Sequence, residues 1–298
     1  MKHWKPAAIA ALWSGALYAA PMPVVASFSI LGDVAQQIGG ERVAVQSLVG
    51  ANQDAHAYNL TSSDIKKIRE ARLVLLNGLG LEKAELQRAV KQSKVASAEA
   101  TAGIKPLAAD EHHHEHNHGH DHDHGEFDPH VWNDPVLMQR YAANVAIALI
   151  KADPAGSRYY QQRFKDYQNV LNQLNNYANQ QFGAVAPAKR KVLTGHDSFA
   201  YLGKRYQVKF ISPQGVSSEA EPSARQIAAI IRQIKAENVK AVFTENIKDG
   251  RMIARIAKET GVKVSGGLYA DALSSGAPAG TYADMFRYNV RVMSEAMK

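Results

Sequence analysis

The sequence predicts an α/β protein of two lobes, each with a roughly four-stranded parallel sheet flanked by helices, joined by one long helix. Three observations predict it. Short apolar runs alternate with helical patterns from residue 24 to residue 100, and again after Pro187. Between the two sets runs one long helical stripe. A chain of 298 residues is long enough for two domains and a sizeable core. With 46% apolar and 21% charged residues, it is globular rather than disordered.

The elements follow in order. VVASFSI (24–30) reads as a strand, and the helix after it ends at the C-cap signal Gly39-Gly40. VAVQSLV (43–49) is the next strand. Thr61, Ser62 and Ser63 offer N-caps for the helix DIKKIREA. LVLLNG (73–78), a helix to about Gln92 and VASAEA (95–100) complete a β-α-β-α order, which implies parallel strands with right-handed crossovers. Residues 110–126 are poor in apolar side chains and predict a mobile loop. Asp134-Pro135 then opens a helix to about Lys151.

Asp153-Pro154 opens the long helix. Tyr160, Phe164, Tyr167, Leu171, Leu174 and Tyr177 recur every three or four residues and form one apolar stripe. Residues 154–182 would span roughly 43 Å at ~1.5 Å per residue, the length of a strut between lobes. After it come strands at 191–195, 208–213, 239–245 and 262–269, with helices from Ser198, Ser223, Asp249 and Thr281. Asp197 is read as the N-cap of the helix from Ser198. The expected organisation is a signal over 1–20, a first lobe over 21–152 carrying the loop 110–126, a linker helix over 153–183 and a second lobe over 184–298.

The N-terminus reads as an export signal. Lys2 and Lys5 precede AAIAALWSGALYAA, an apolar run of signal length and short for a membrane span. Small-residue cut points follow Ala19, Ala20 and Ala26; the strand at 24–30 favours the first two. No later segment reaches about 18 consecutive apolar residues, so a soluble mature protein is expected. The sequence has no cysteine. Disulfides, thiolate zinc sites and a lipid on an N-terminal cysteine are therefore excluded, and the periplasm is the expected location. The formal charge of +7 falls to about +5 without Lys2 and Lys5. The basic residues are spread along the chain, which argues against nucleic-acid binding.

The histidines carry the chemistry. Of twelve, His3 lies in the signal and His112, His113, His114, His116, His118, His120, His122 and His124 form one tract. The other three, His56, His130 and His196, each fall in a turn-rich segment. His56 and His196 directly follow strands, where ligands bind in open parallel sheets. Three imidazoles suit zinc and leave one tetrahedral position. Asp271, after the last strand, or a water could take it. Glu245 is a candidate acceptor for a ligand imidazole N–H.

The blocks VVASFSILGDVAQQIGG (24–40), LVG (48–50) with His56 and Tyr58 after it, DPHVWNDP (128–135) and GHDSFAYL (195–202) resemble the metal-binding solute-binding proteins of ABC transporters, the ZnuA/TroA type. The resemblance covers essentially the whole mature chain. It implies two lobes on a long rigid helix with a metal between them, and a carrier with no enzymatic activity. His56, His130 and His196 match the family's imidazole ligands, and Asp271 its carboxylate ligand. Where the family commonly has Pro and Glu around the first histidine, this chain has Ala55 and Asn59. A histidine at the third position, where manganese members usually have a carboxylate, favours zinc.

The expected function is high-affinity capture of Zn2+ in the periplasm by a monomer, and delivery to an ABC permease. The tract reads as a weak zinc-collecting or zinc-sensing loop, open to a partner such as a periplasmic zinc metallochaperone. Three alternatives remain: a manganese-specific member of the same family, a zinc hydrolase built on the three histidines, and a zinc store served by the tract. The hydrolase lacks H-E-x-x-H and an evident general base. The store would need no second lobe.

Overall fold

The computed structural model describes residues 20–109, 127–219 and 221–298. The signal expected over 1–20 falls, but for its last residue, outside the described residues. The histidine tract lies wholly outside them.

The first sheet contains β1 (Met22–Phe28), β2 (Val43–Val49), β3 (Leu73–Leu76) and β4 (Ala96–Glu99), all parallel, in the order β2-β1-β3-β4. Sequence decides which strands are central. All four residues of β3, LVLL, and the last five of β1 are buried. A strand apolar on both faces has to be covered on both faces. The more polar β2 and β4 keep water-facing positions and form the edges.

The second sheet repeats the arrangement. Strands β5 (Lys191–Leu193), β6 (Lys209–Ile211), β7 (Ala241–Glu245) and β8 (Gly266–Leu268) are parallel in the order β6-β5-β7-β8. In both sheets the first connection runs to one side and the next to the other. That reversal opens a crevice beyond the carboxyl ends of the strands.

The helices are α1 (Ser29–Gly39), α2 (Ser62–Glu70), α3 (Ala84–Ser93), α4 (Leu137–Ala152), α5 (Ser157–Gly183), α6 (Ala200–Tyr206), α7 (Ala224–Glu237), α8 (Arg251–Thr260) and α9 (Tyr282–Met297). Thr61 and Ser223 form reciprocal capping boxes with Asp64 and Gln226. Thr281 caps α9 through the Asp284 N–H.

The 27 residues of α5 span about 40 Å. Its stripe of Tyr160, Tyr167, Leu171, Leu174, Ala178 and Phe182 is buried. The helix packs against α1 and α4 of the first lobe and α6 and α9 of the second. One apolar core runs through both lobes, from Phe28 and Trp132 to Phe243 and Phe286.

Several boundaries differ from the sequence expectation. β1 ends at Phe28 because Ser29 and Ile30 already turn into α1. β8 has three residues instead of 262–269, since Val262 to Ser265 approach the sheet as coil. Pro154 opens a single 3-10 turn, and α5 proper starts at Ser157. Helix α6 begins at Ala200 with no side-chain cap, so Asp197 is not its N-cap.

Candidate metal centre

Four side chains converge from four loops. His56 lies beyond β2, His130 just before a 3-10 turn (Val131–Asn133) that leads into α4, His196 beyond β5 and Asp271 beyond β8. All four are buried, and each offers a ligand atom within 4.8 Å of the others.

The separations are those of a small polyhedron. His56 Nε2 lies 3.2 Å from His130 Nε2. Asp271 Oδ2 lies 3.4 Å from His56 Nε2 and 3.0 Å from His196 Nε2, and Asp271 Oδ1 lies 3.4 Å from His130 Nε2. Ligands about 2.0–2.1 Å from a tetrahedral ion sit roughly 3.3 Å apart. His196 Nε2 and both Asp271 oxygens are buried, and they face only one another and the other imidazoles. Buried polar atoms are normally paired; lone pairs converging on one point fit a cation there.

The surroundings set the tautomers. Asp128 Oδ1 lies 2.7 Å from His130 Nδ1, and Glu245 Oε2 lies 2.6 Å from His196 Nδ1. An ionised carboxylate only accepts, so each Nδ1 carries the proton and donates it, leaving the Nε2 lone pair for the centre. The same acids hold the backbone. Asp128 Oδ1 accepts the His130 N–H, and Glu245 Oε1 accepts the Gly195 and His196 N–H groups. A Cβ at Gly195 would stand 3.0 Å from Glu245 Oε2, so glycine permits this close approach. The His56 N–H donates to Asp54 Oδ1 at 2.9 Å.

Charge is arranged to match. Burial pushes the Asp271 carboxyl upward, but His196 and His130 outweigh it and hold it well below the usual carboxylate range. Burial lowers the His196 proton affinity, yet Glu245 and Asp271 outweigh it and raise His196 well above an ordinary imidazole.

Of the residues singled out in the sequence, His56, His130, His196 and Asp271 come together, with Glu245 against His196. The eight tract histidines lie outside the described residues. Sequence reasoning missed Asp128 and Asp54. A signal existed: each stands two residues before a histidine, in Asp54-Ala55-His56 and Asp128-Pro129-His130.

The periplasmic zinc-uptake complex component A, ZnuA, provides the family model that matches residues 24–296. The chain is 32% identical over 287 residues to the manganese-binding lipoprotein MntA of Bacillus subtilis strain 168, covering 93% of this chain and 90% of that protein. Among solved structures it is similar to the periplasmic zinc-binding protein TroA from Treponema pallidum, with TM-score 0.85, 26% identity, and 93% and 99% of the two chains covered. It is also similar to a Mn-bound periplasmic metal-binding protein from Candidatus Liberibacter asiaticus, with TM-score 0.79, 28% identity, and 93% and 100% covered. Substrate-binding proteins of this kind work outside the cytoplasm with a membrane permease and its ATPase. A match over nearly the whole chain, on the same two-lobed fold, means that the protein belongs to the ZnuA family and is a metal-binding substrate-binding protein of an ABC transporter, not an enzyme.

Proposed function

We propose that the protein captures Zn2+ in the periplasm at His56, His130, His196 and Asp271 and hands it to an ABC permease for zinc import. The observation that carries this reading is the donor set. Three imidazoles and one carboxylate, with four separations of 3.0–3.4 Å and every ligand atom within 4.8 Å of the others, suit an ion of zinc's size. Imidazole-rich sites favour zinc, whereas manganese favours carboxylate, carbonyl and water oxygens. Residues 21–152 and 184–298 act as the two lobes about the helix 153–183, and the ion sits between them.

A manganese reading has two observations in its favour: relatives such as MntA are manganese-binding, and the carboxylate offers both oxygens. Asp271 turns Oδ1 toward His130 and Oδ2 toward His56 and His196, so a bidentate carboxylate could raise the coordination number. Affinity alone does not decide between the metals, because most nitrogen and oxygen sites bind zinc more tightly than manganese. The deciding experiment is growth of cells lacking the protein under metal limitation. Rescue by added Zn2+ and not by Mn2+ is expected; rescue by Mn2+ alone would transfer the assignment to manganese.

The tract from His112 to His124 serves as a collector. Its eight imidazoles hold ions weakly and raise their local concentration beside the tight site. It is also where a periplasmic metallochaperone would unload. Deleting 112–124 should leave one tight zinc equivalent per monomer and remove the weak ones, as read by equilibrium dialysis. Loss of the tight equivalent would refute the collector role.

A further inference from the structure

The four candidate ligands are held in unequal ways. Residues 128–135 are buried without a break, whereas in the loop 51–59 only Ala55 and His56 are buried. The segment around His130 is bonded across to the second lobe along its length. The Trp132 indole N–H donates to the Ala270 carbonyl at 2.8 Å, one residue before Asp271. The Asn133 side-chain amide donates to the Ser198 carbonyl at 2.8 Å, two residues after His196. In return, the Tyr282 hydroxyl donates to the Trp132 carbonyl at 2.8 Å and the Tyr201 hydroxyl to the Asp128 carbonyl at 2.7 Å. All four bonds are buried, so breaking one leaves polar groups that water cannot reach. The Trp132 ring is itself wedged between Phe28, 4.9 Å away, and His130, 5.1 Å away.

The loop of His56 has different ties. Its N–H is held by Asp54 of the same loop. Besides the His56 ring's contact with Asp271, the loop's hydrogen bonds to the second lobe among the described residues include the Asn52 N–H to Leu273, the Asn246 amide to Asn52 and the Ser218 hydroxyl to Asp54. These sit on an exposed or half-exposed stretch, where water can replace a lost partner.

From this asymmetry we propose that Trp132 and Asn133 are positioning residues. They lock His130, His196 and Asp271 into one preformed platform across the two lobes, and His56 is the single ligand that closes on the ion and leaves to release it. The proposal rests on the reading of these four side chains as ligands. It divides a role that the sequence alone would assign equally to the His56 and His130 loops.

Amide hydrogen exchange on the full-length mature protein, first metal-free and then with Zn2+ alone, tests it. The amides of 128–135 should be strongly protected in the metal-free state and change little on adding Zn2+, while those of 52–58 should exchange fast and slow markedly with the ion. Equal protection of both segments in the metal-free protein, or a gain at 128–135 matching that at 52–58, would overturn the platform. The metal-free measurement needs no bound ion, so the platform can fail while the zinc reading stands. Absence of any tight site would sink the zinc reading instead. Two variants extend the test. Trp132→Phe keeps a buried ring but loses the donor; Zn2+ should bind roughly tenfold more weakly, and the visible d–d spectrum of the Co2+ form should change. His56→Ala should retain one weakened Zn2+ equivalent, whereas His130→Ala should lose it. An unaltered Trp132→Phe affinity and spectrum, or equal loss in the two histidine variants, would contradict the proposal.

Discussion

Glu245 accepts three hydrogen bonds from the loop that carries His196, two from backbone N–H groups and one from the ring. In Glu245→Gln the backbone acceptor survives but the negative charge on the ring proton is gone. Zinc affinity should fall by about 10–100-fold, the usual effect of removing an acceptor behind a metal-bound histidine; competition with a chromophoric chelator would measure it, and an unchanged affinity would remove Glu245 from the site. Protons compete for the same atoms. Because the His196 proton affinity is raised in the metal-free protein, the ion displaces a proton on binding. Zinc affinity should therefore fall as pH falls, with about one proton released per ion near neutral pH, read by calorimetry in buffers of different ionisation enthalpy. The same shifts shape the metal-free protein. Its gain from His196 is complete below the ordinary value of 6.5 and lost as pH rises through the raised one. Its gain from Asp271 is present above 3.8 and lost as pH falls through the lowered one.

Among the elements, α5 couples the lobes and α2 stabilises the approach to His56. Leu171 on α5 is fully buried in the shared core, so Leu171→Ala should cost about 2–5 kcal/mol in denaturant unfolding. Lys165→Ala on the exposed face of the same helix should change stability by no more than about 0.5 kcal/mol. At the start of α2, Asp64 accepts from the Tyr58 hydroxyl and from the Thr61 hydroxyl and N–H. Burial raises its carboxyl, but the bonds from Thr61 and Tyr58 outweigh this and bring it down to about 2. Its contribution is present above 3.8 and is lost as pH falls toward about 2. Asp64→Asn should flatten that acid limb in a pH series of unfolding midpoints; a limb as steep as the wild type's would show that other carboxylates dominate. The helices were well legible in the chain, because caps such as Thr61 and Ser223 and the stripe on α5 are local signals. Short strands were less so. In β8, the Phe243 to Gly266 pairing decides where the strand begins, and that pairing is made across the sheet.

For the molecule as a whole, a core continuous through both lobes, with α5 seated in each, leaves little room for wide opening. Structures with and without the ion should differ by a small lobe rotation, with the main change in the loop of His56; a rotation of tens of degrees would contradict the rigid strut. Binding should also stabilise the fold by mass action. With free Zn2+ at about a thousand times its dissociation constant, linkage predicts roughly 4 kcal/mol of added stability. A calorimetric scan with and without a chelator would show it as a higher unfolding temperature.

Much was readable from the chain alone. Alternating short apolar runs and amphipathic stretches encode a two-sheet α/β fold, since each pattern is a local statement about which faces meet water. With no cysteine and only three histidines outside the tract and the signal, the candidate ligands were few, and their place at strand ends was a matter of sequence position. Only the tertiary structure brings these loops to one point, with Asp271 among the three imidazoles and Asp128 and Glu245 behind two of them. Those relations join residues up to 215 positions apart, as in His56 with Asp271. They depend on strand order and on how two lobes dock along α5, and periodicity within a segment carries no information about either.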